Sequence, residues 1–221
     1  MTPHRRAPTV VPLARAAGTG DTCALTFDDG PNGADTAALL DLLAEHGIRA
    51  VFAVVGSQIL APGGAGMLRR IVREGHVLCD HSTDFDDLGD LTVEQAMDRM
   101  RRNVAIIRDA LGDPDAPIPY FRAPNGSWGR TPEAAVALGR QPLAVTGTIG
   151  DWMTQDEAVL TERLRAEMRP GSIVLVHDGG GNRAASVAAV RTVVEERLAQ
   201  GWRFTLPEGL EPLAAGSRRS G

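Results

Sequence analysis

From Cys23 to Phe204 the chain alternates strand-sized apolar runs with stretches of helical periodicity. No other feature restricts the fold as much. Cys23-Ala24-Leu25-Thr26-Phe27, Ala50–Val55, Val77-Leu78-Cys79, Tyr120-Phe121, Leu143-Ala144-Val145, Ser172–Val176 and Trp202-Arg203-Phe204 read as strands. Helical spacing covers 34–47, 66–74, 92–111, 131–139, 155–168 and 184–200, with Thr92 as a cap and Gly47 and Gly75 as stops. Seven or eight such units predict an α/β fold, a distorted parallel (β/α) barrel of seven or eight strands. An open doubly wound sheet lacks its commonest support, because no Gly-x-Gly-x-x-Gly turn follows the first strand.

The 221 residues, 43% of them hydrophobic, suffice for one substantial core. A net charge of -5 offers no basic surface, which argues against nucleic acid or an anionic membrane as partner. The apolar runs are too short for a membrane-spanning helix, so no membrane insertion is expected. Pro8, Pro12 and Arg15 interrupt any signal-peptide core in the first twenty residues, and a cytoplasmic rather than secreted location is the expectation. Cys23 and Cys79 fall in strand-like runs without disulfide spacing and are expected to be reduced core residues.

Polar residues gather just after the strands: Asp28 and Asp29, His81, Arg122, Asp151 and Trp152, His177 and Asp178. In a parallel barrel these positions share one rim, where barrel active sites form. Adjacent carboxylates at the end of a buried run are costly unless something shares their charge. Gly30-Pro31 is expected to turn the chain directly after them. Taken singly, Asp-Asp-Gly is more often a solvated turn and a lone His a structural one; the convergence of several strand tips favours a site.

In order and content these motifs resemble the polysaccharide deacetylase family, carbohydrate esterase family 4, over about 21–206. That leaves an irregular N-terminal extension, 1–20, and a C-terminal tail, 207–221. The barrel is then of the deacetylase type. Thr26-Phe27-Asp28-Asp29-Gly30 agrees with the first family motif, making Asp28 the catalytic base and Asp29 a metal ligand. His81-Ser82-Thr83-Asp84-Phe85 keeps the ligand His81 and the hydroxyl of the second motif, but Phe85 stands where the family has its second histidine. Phe121–Gly126 is similar to the third motif, in which Arg122 holds the base and the backbone amide at Asn125 faces the oxyanion. Asp151-Trp152 resembles the fourth, where the Asp tunes the acid and the Trp lines the groove. Leu175-Val176-His177-Asp178 resembles the fifth, with Leu175 shaping the acetyl pocket and His177 as general acid. Trp128 is a further candidate to flank the groove.

The resemblance implies a metal-dependent hydrolase that removes an N-acetyl group from an amino sugar or small glycoside. Zinc is the expected ion, with cobalt, manganese or nickel as alternatives. The residue types suit this chemistry independently: Asp29 and His81 as donors to a cation that polarises a carbonyl, Asp28 to take a proton from water, His177 to protonate the leaving amine. Phe85 opens three outcomes: Asp84 or Asp86 swings in as a ligand, water fills the gap, or the metal is lost. The last leaves a non-catalytic carbohydrate-binding or scaffold protein as the alternative. With 4% aromatic residues to stack on a glycan chain, a small N-acetylated molecule is the expected substrate.

Overall fold

In the computed structural model residues 7–209 are described; the first six residues and most of the expected tail, 210–221, lie outside them. Eight strands form one sheet: β1 (Thr22–Gly30), β2 (Val51–Val54), β3 (Val77–Asp80), β4 (Tyr120–Phe121), β5 (Gln141–Pro142), β6 (Gly147–Thr148), β7 (Ser172–His177) and β8 (Arg203–Phe204). Their order is β5-β4-β3-β2-β1-β7-β6, every named pair is parallel, and β8 pairs with the start of β1. No ladder joins β5 to β6 among the described residues, so the expected barrel is a curled one that stays open there. Residues 7–20 run irregularly along the barrel, with a bridge from Leu13 to Leu143 and another from Ala16 to Pro207.

Seven helices wrap the sheet: α1 (Gly33–Glu45), α2 (Gly56–Leu60), α3 (Gly64–Arg73), α4 (Val93–Leu111), α5 (Thr131–Ala137), α6 (Glu157–Glu167) and α7 (Ala184–Ala199). At the start of α4 Thr92 and Gln95 cap each other's backbone N–H groups, and Gly112 stops the helix in the left-handed region (φ 67°). Five-residue α2 escaped the sequence reading because one turn and a half is too short for periodicity to emerge.

Strand alternation divides the sheet into two faces. Cys23, Leu25 and Phe27 of β1, Phe52 and Val54 of β2 and Val174 and Val176 of β7 pack outward against the helices in the main core. Ala24, Val51, Ala53, Cys79 and Ile173 fill a smaller core inside the curl. Continuing the inner phase by twos, Ala24 leads to Thr26 and Asp28, Cys79 to His81, and Ile173 to Leu175 and His177. Four site residues therefore lie on the inner face, Asp28, His81 and His177 at the C-terminal ends of their strands and Leu175 two residues before His177. Cys23 and Cys79 are buried free thiols, as expected.

Two expectations are corrected. The strand read as Cys23–Phe27 does not stop at Phe27: Asp28-Asp29-Gly30 is the end of β1, which pairs on through Gly30 with a bulge between Asp28 and Gly30. Leu143-Ala144-Val145 is not a strand: the carbonyls of Leu143 and Ala144 receive the guanidinium of Arg122 (3.1 and 3.5 Å), and strand pairing lies on either side, in β5 and β6. A side chain has taken acceptors that a neighbouring strand would have used.

Candidate active site

A cleft of about 950 Å³ opens at the C-terminal ends of the strands and is lined by Asp28, Asp29, His81, Arg122, Asn125, Trp152, Leu175 and His177, among others. Every residue expected to touch substrate or metal on the strength of a motif faces it. Trp128 also lines it, its ring edge against Phe121 at 6.3 Å between centroids. Asp151 is fully buried and acts on the cleft through His177.

Asp28 and Asp29 are neighbours in sequence, yet both reach the cleft. On a regular strand they would face opposite ways; the bulge and the left-handed backbone of Asp29 (φ 73°) turn the second carboxylate to the side of the first. This conformation brings the pair together. Arg122 Nη1 donates to Asp28 Oδ1 at 2.5 Å and to Thr26 Oγ1 at 3.0 Å, bracing the carboxylate from the inner face. Asp28 Oδ2 is left facing His81 Nε2 at 3.6 Å.

His81 Nδ1 lies 2.9 Å from the backbone carbonyl of Arg122, which can only accept, so Nδ1 carries a proton. Nε2 points at Asp29 Oδ1, 3.4 Å away. Burial opposes charging this ring, but Asp28 and Asp29 outweigh it and raise its pKa above the usual histidine value. Burial likewise resists ionisation of Asp29, while His81, His177 and Arg183 prevail and hold its carboxyl below the usual range. Behind them Asp80 faces away from the cleft: its Oδ1 accepts from Ser82 N–H (3.1 Å) and Asn103 Nδ2 (2.7 Å), fixing the left-handed turn at Ser82 (φ 68°) that follows His81.

Across the cleft His177 Nδ1 lies 2.7 Å from Asp151 Oδ1, and Asp151 Oδ2 accepts from the His177 backbone N–H and from Ser186 Oγ, both at 2.9 Å. Burial works against charge on the His177 ring, yet Asp151 wins and its pKa is raised; burial works against charge on Asp151, yet His177 wins and its pKa is lowered. Such a pair holds a proton ready on the imidazole and aims Nε2 into the cleft. Trp152 lies with its ring edge-on to His177, 5.4 Å between centroids.

Asp29 and His81 suit a divalent cation: one carboxylate and one imidazole whose tautomer is set by a second hydrogen bond, leaving Nε2 as the donor atom. Asp84 and Asp86 are not beside them. Both carboxylates bind Arg99 of α4, at 2.5 and 3.0 Å, and Asp87 accepts from Asn125 Nδ2 at 2.9 Å. Phe85 reaches the cleft and has no donor atom. Among the described residues no three His, Cys, Asp or Glu side chains form a metal cage, and Asp29 with His81 is the pair of donors a cation could use.

Sequence reasoning missed the loop after β7. A Cβ on Gly179 would sit 1.9 Å from the Asp29 carbonyl and one on Gly180 2.8 Å from Asp29 Oδ2, so only glycine lets this loop close over Asp29. Arg183 locks the loop by donating to the carbonyls of Gly179 (2.7 Å), Gly180 (3.0 Å) and Asp151 (2.8 Å). The run Gly179-Gly180-Gly181 directly after a motif was the available signal. Asp178 turns outward to Thr36 Oγ1 (2.6 Å), and burial pushes its pKa up to about 7.

The polysaccharide deacetylase family model matches residues 15–143, a span that ends before Asp151 and His177. A chitooligosaccharide deacetylase from Sinorhizobium fredii is 35% identical over 161 residues, covering 70% of this chain and 71% of that protein. Among solved structures the peptidoglycan deacetylase PdaC from Bacillus subtilis has a TM-score of 0.74 at 26% identity, over 84% of this chain and 87% of that one. A CE4 family pseudoenzyme from Bacillus anthracis has a TM-score of 0.79 at 20% identity, over 90% and 68%, which shows likeness of fold.

Proposed function

Because the chain belongs to the polysaccharide deacetylase family, we propose that it hydrolyses the N-acetyl group of an acetylated amino sugar, with Asp28 as base and His177 as acid. One observation carries the reading: the Arg122-braced carboxylate and the Asp151-braced imidazole face a common cleft, with Asp29 between His81 (3.4 Å) and His177 (3.9 Å).

Asp28 Oδ2, the oxygen that Arg122 leaves free, takes a proton from the attacking water as its oxygen bonds to the acetyl carbon. Negative charge grows on the former carbonyl oxygen, toward the backbone at Asn125. His177 Nε2 then delivers its proton to the amide nitrogen, the C–N bond breaks, and acetate and a free amine leave. Asp151 steadies the imidazolium before transfer and keeps Nδ1 protonated. A divalent cation held by Asp29 and His81 would supply Lewis-acid polarisation of the acetyl carbonyl, with zinc the first candidate and cobalt, manganese or nickel the alternatives. A small N-acetylated saccharide and a cytoplasmic location belong to the same proposal.

The test is acetate release from N-acetylglucosamine and from N-acetylated chitooligosaccharides, with each of these four metals added. Release is expected, and Asp28→Asn should lower it by about 10²–10⁴-fold. No acetate from any of these sugars with any metal would sink the reading. Phe85 in place of a histidine favours a second one, a carbohydrate-binding protein without catalysis; it predicts saturable sugar binding with no acetate.

A further inference from the structure

The chain has nine aromatic residues (five Phe, three Trp and one Tyr), and all nine fall among the described residues. Only two are exposed, Phe85 at 39% and Trp152 at 54%, and both line the cleft. Water contact forfeits part of the burial free energy of a phenyl ring. Yet the loop holding Phe85 is fastened on both sides of it. Arg99 donates to Thr83 Oγ1 (3.1 Å), Asp84 Oδ2 (2.5 Å) and Asp86 Oδ2 (3.0 Å), while Asn125 Nδ2 donates to the Phe85 carbonyl (2.8 Å) and to Asp87 Oδ1 (2.9 Å). The ring is presented to the cleft by a braced backbone.

The two exposed rings come from different loops. Phe85 follows β3 and is tied to Asn125; Trp152 follows β6 and stands beside His177. We propose that Phe85 is a specificity-determining residue that stacks on the apolar C–H face of the substrate's pyranose ring, sharing the sugar with Trp152. The inference rests on the deacetylase reading above and gives a role to the residue that replaces a metal-binding histidine. Neutral sugar suits the position, because the acids flanking Phe85 are already taken by Arg99 and Asn125. A braced ring loses little freedom on binding, so its contact converts efficiently into affinity.

Calorimetric titration of the metal-stripped protein with tri-N-acetylchitotriose tests the idea without relying on metal or turnover. Phe85→Ala should weaken binding by about tenfold and Phe85→Tyr by no more than about threefold, since tyrosine keeps the ring face. Phe85→Ala binding as tightly as wild type, with Trp152→Ala weakened, would overturn the role of Phe85 while leaving the deacetylase reading intact. Wild-type protein that releases acetate but shows no binding dependence on residue 85 has the same meaning. A wild type that neither binds the trisaccharide nor releases acetate overturns both. Circular dichroism of each variant separates lost binding from lost fold.

Discussion

Arg122 Nη1 and Asp28 Oδ1 lie 2.5 Å apart with their side chains 5% and 4% exposed. A carboxylate this deep depends on its partner, and removing one member of a buried pair strands the other. Arg122→Ala should cost about 3–5 kcal/mol of stability, read from urea midpoints, because Asp28 is left without its cation. The double variant with Asp28→Asn should recover part of that loss; equal destabilisation by the single and double variants would argue that Arg122 acts through its packing and its bonds to Leu143 and Ala144.

His177 owes its raised pKa to Asp151, which outweighs burial. As the proposed acid, His177 must be protonated to act, so activity should fall as pH rises through this pKa. In Asp151→Asn the countercharge is gone, and the alkaline limb of kcat/KM should move to lower pH. An alkaline limb that stays in place would assign it to another group.

Phe85→His offers a third donor to the Asp29 and His81 site. Zinc affinity of the stripped protein, measured by calorimetry, should rise at least about tenfold, a change that even contacts behind a ligand can produce. Affinity in wild type should weaken as pH falls, because the cation and a proton compete for His81 Nε2. No gain in the variant would mean that a side chain at position 85 does not reach the donor pair.

Away from the cleft, burial lowers the His76 pKa to about 4, and its Nδ1 accepts the Ala50 N–H at 3.2 Å. The unfolded chain takes up this proton near pH 6.5 and the folded chain only near 4. Stability from a neutral His76 is therefore complete above about pH 6.5 and lost progressively toward pH 4, by up to about 3 kcal/mol. His76→Asn keeps an acceptor but cannot titrate there, so its urea midpoint should fall less than that of wild type between pH 7.5 and 4.5. Parallel losses in the two proteins would remove His76 from the account.

Much of the cleft was legible from one strand at a time. The inner-face alternation that places Ala24, Thr26 and Asp28 in line is a local property of backbone geometry, as are those of Cys79 with His81 and Ile173 with His177. A parallel sheet then brings those strand ends to one rim, so the convergence of Asp28, His81, Arg122 and His177 could be read before any coordinate was known. Capping at Thr92 was local in the same way.

What remained hidden depended on partners far along the chain. The approach of the Gly179–Gly181 loop decides the surroundings of Asp29, Arg99 decides that Asp84 and Asp86 do not join Asp29 and His81, and Arg122 decides that Leu143 and Ala144 are not a strand. Period-two geometry and capping chemistry act over a few residues and are written in the sequence. Bulges, ion pairs and close backbone approaches balance desolvation against contacts between distant segments, and that balance is struck only when tertiary structure brings the segments together.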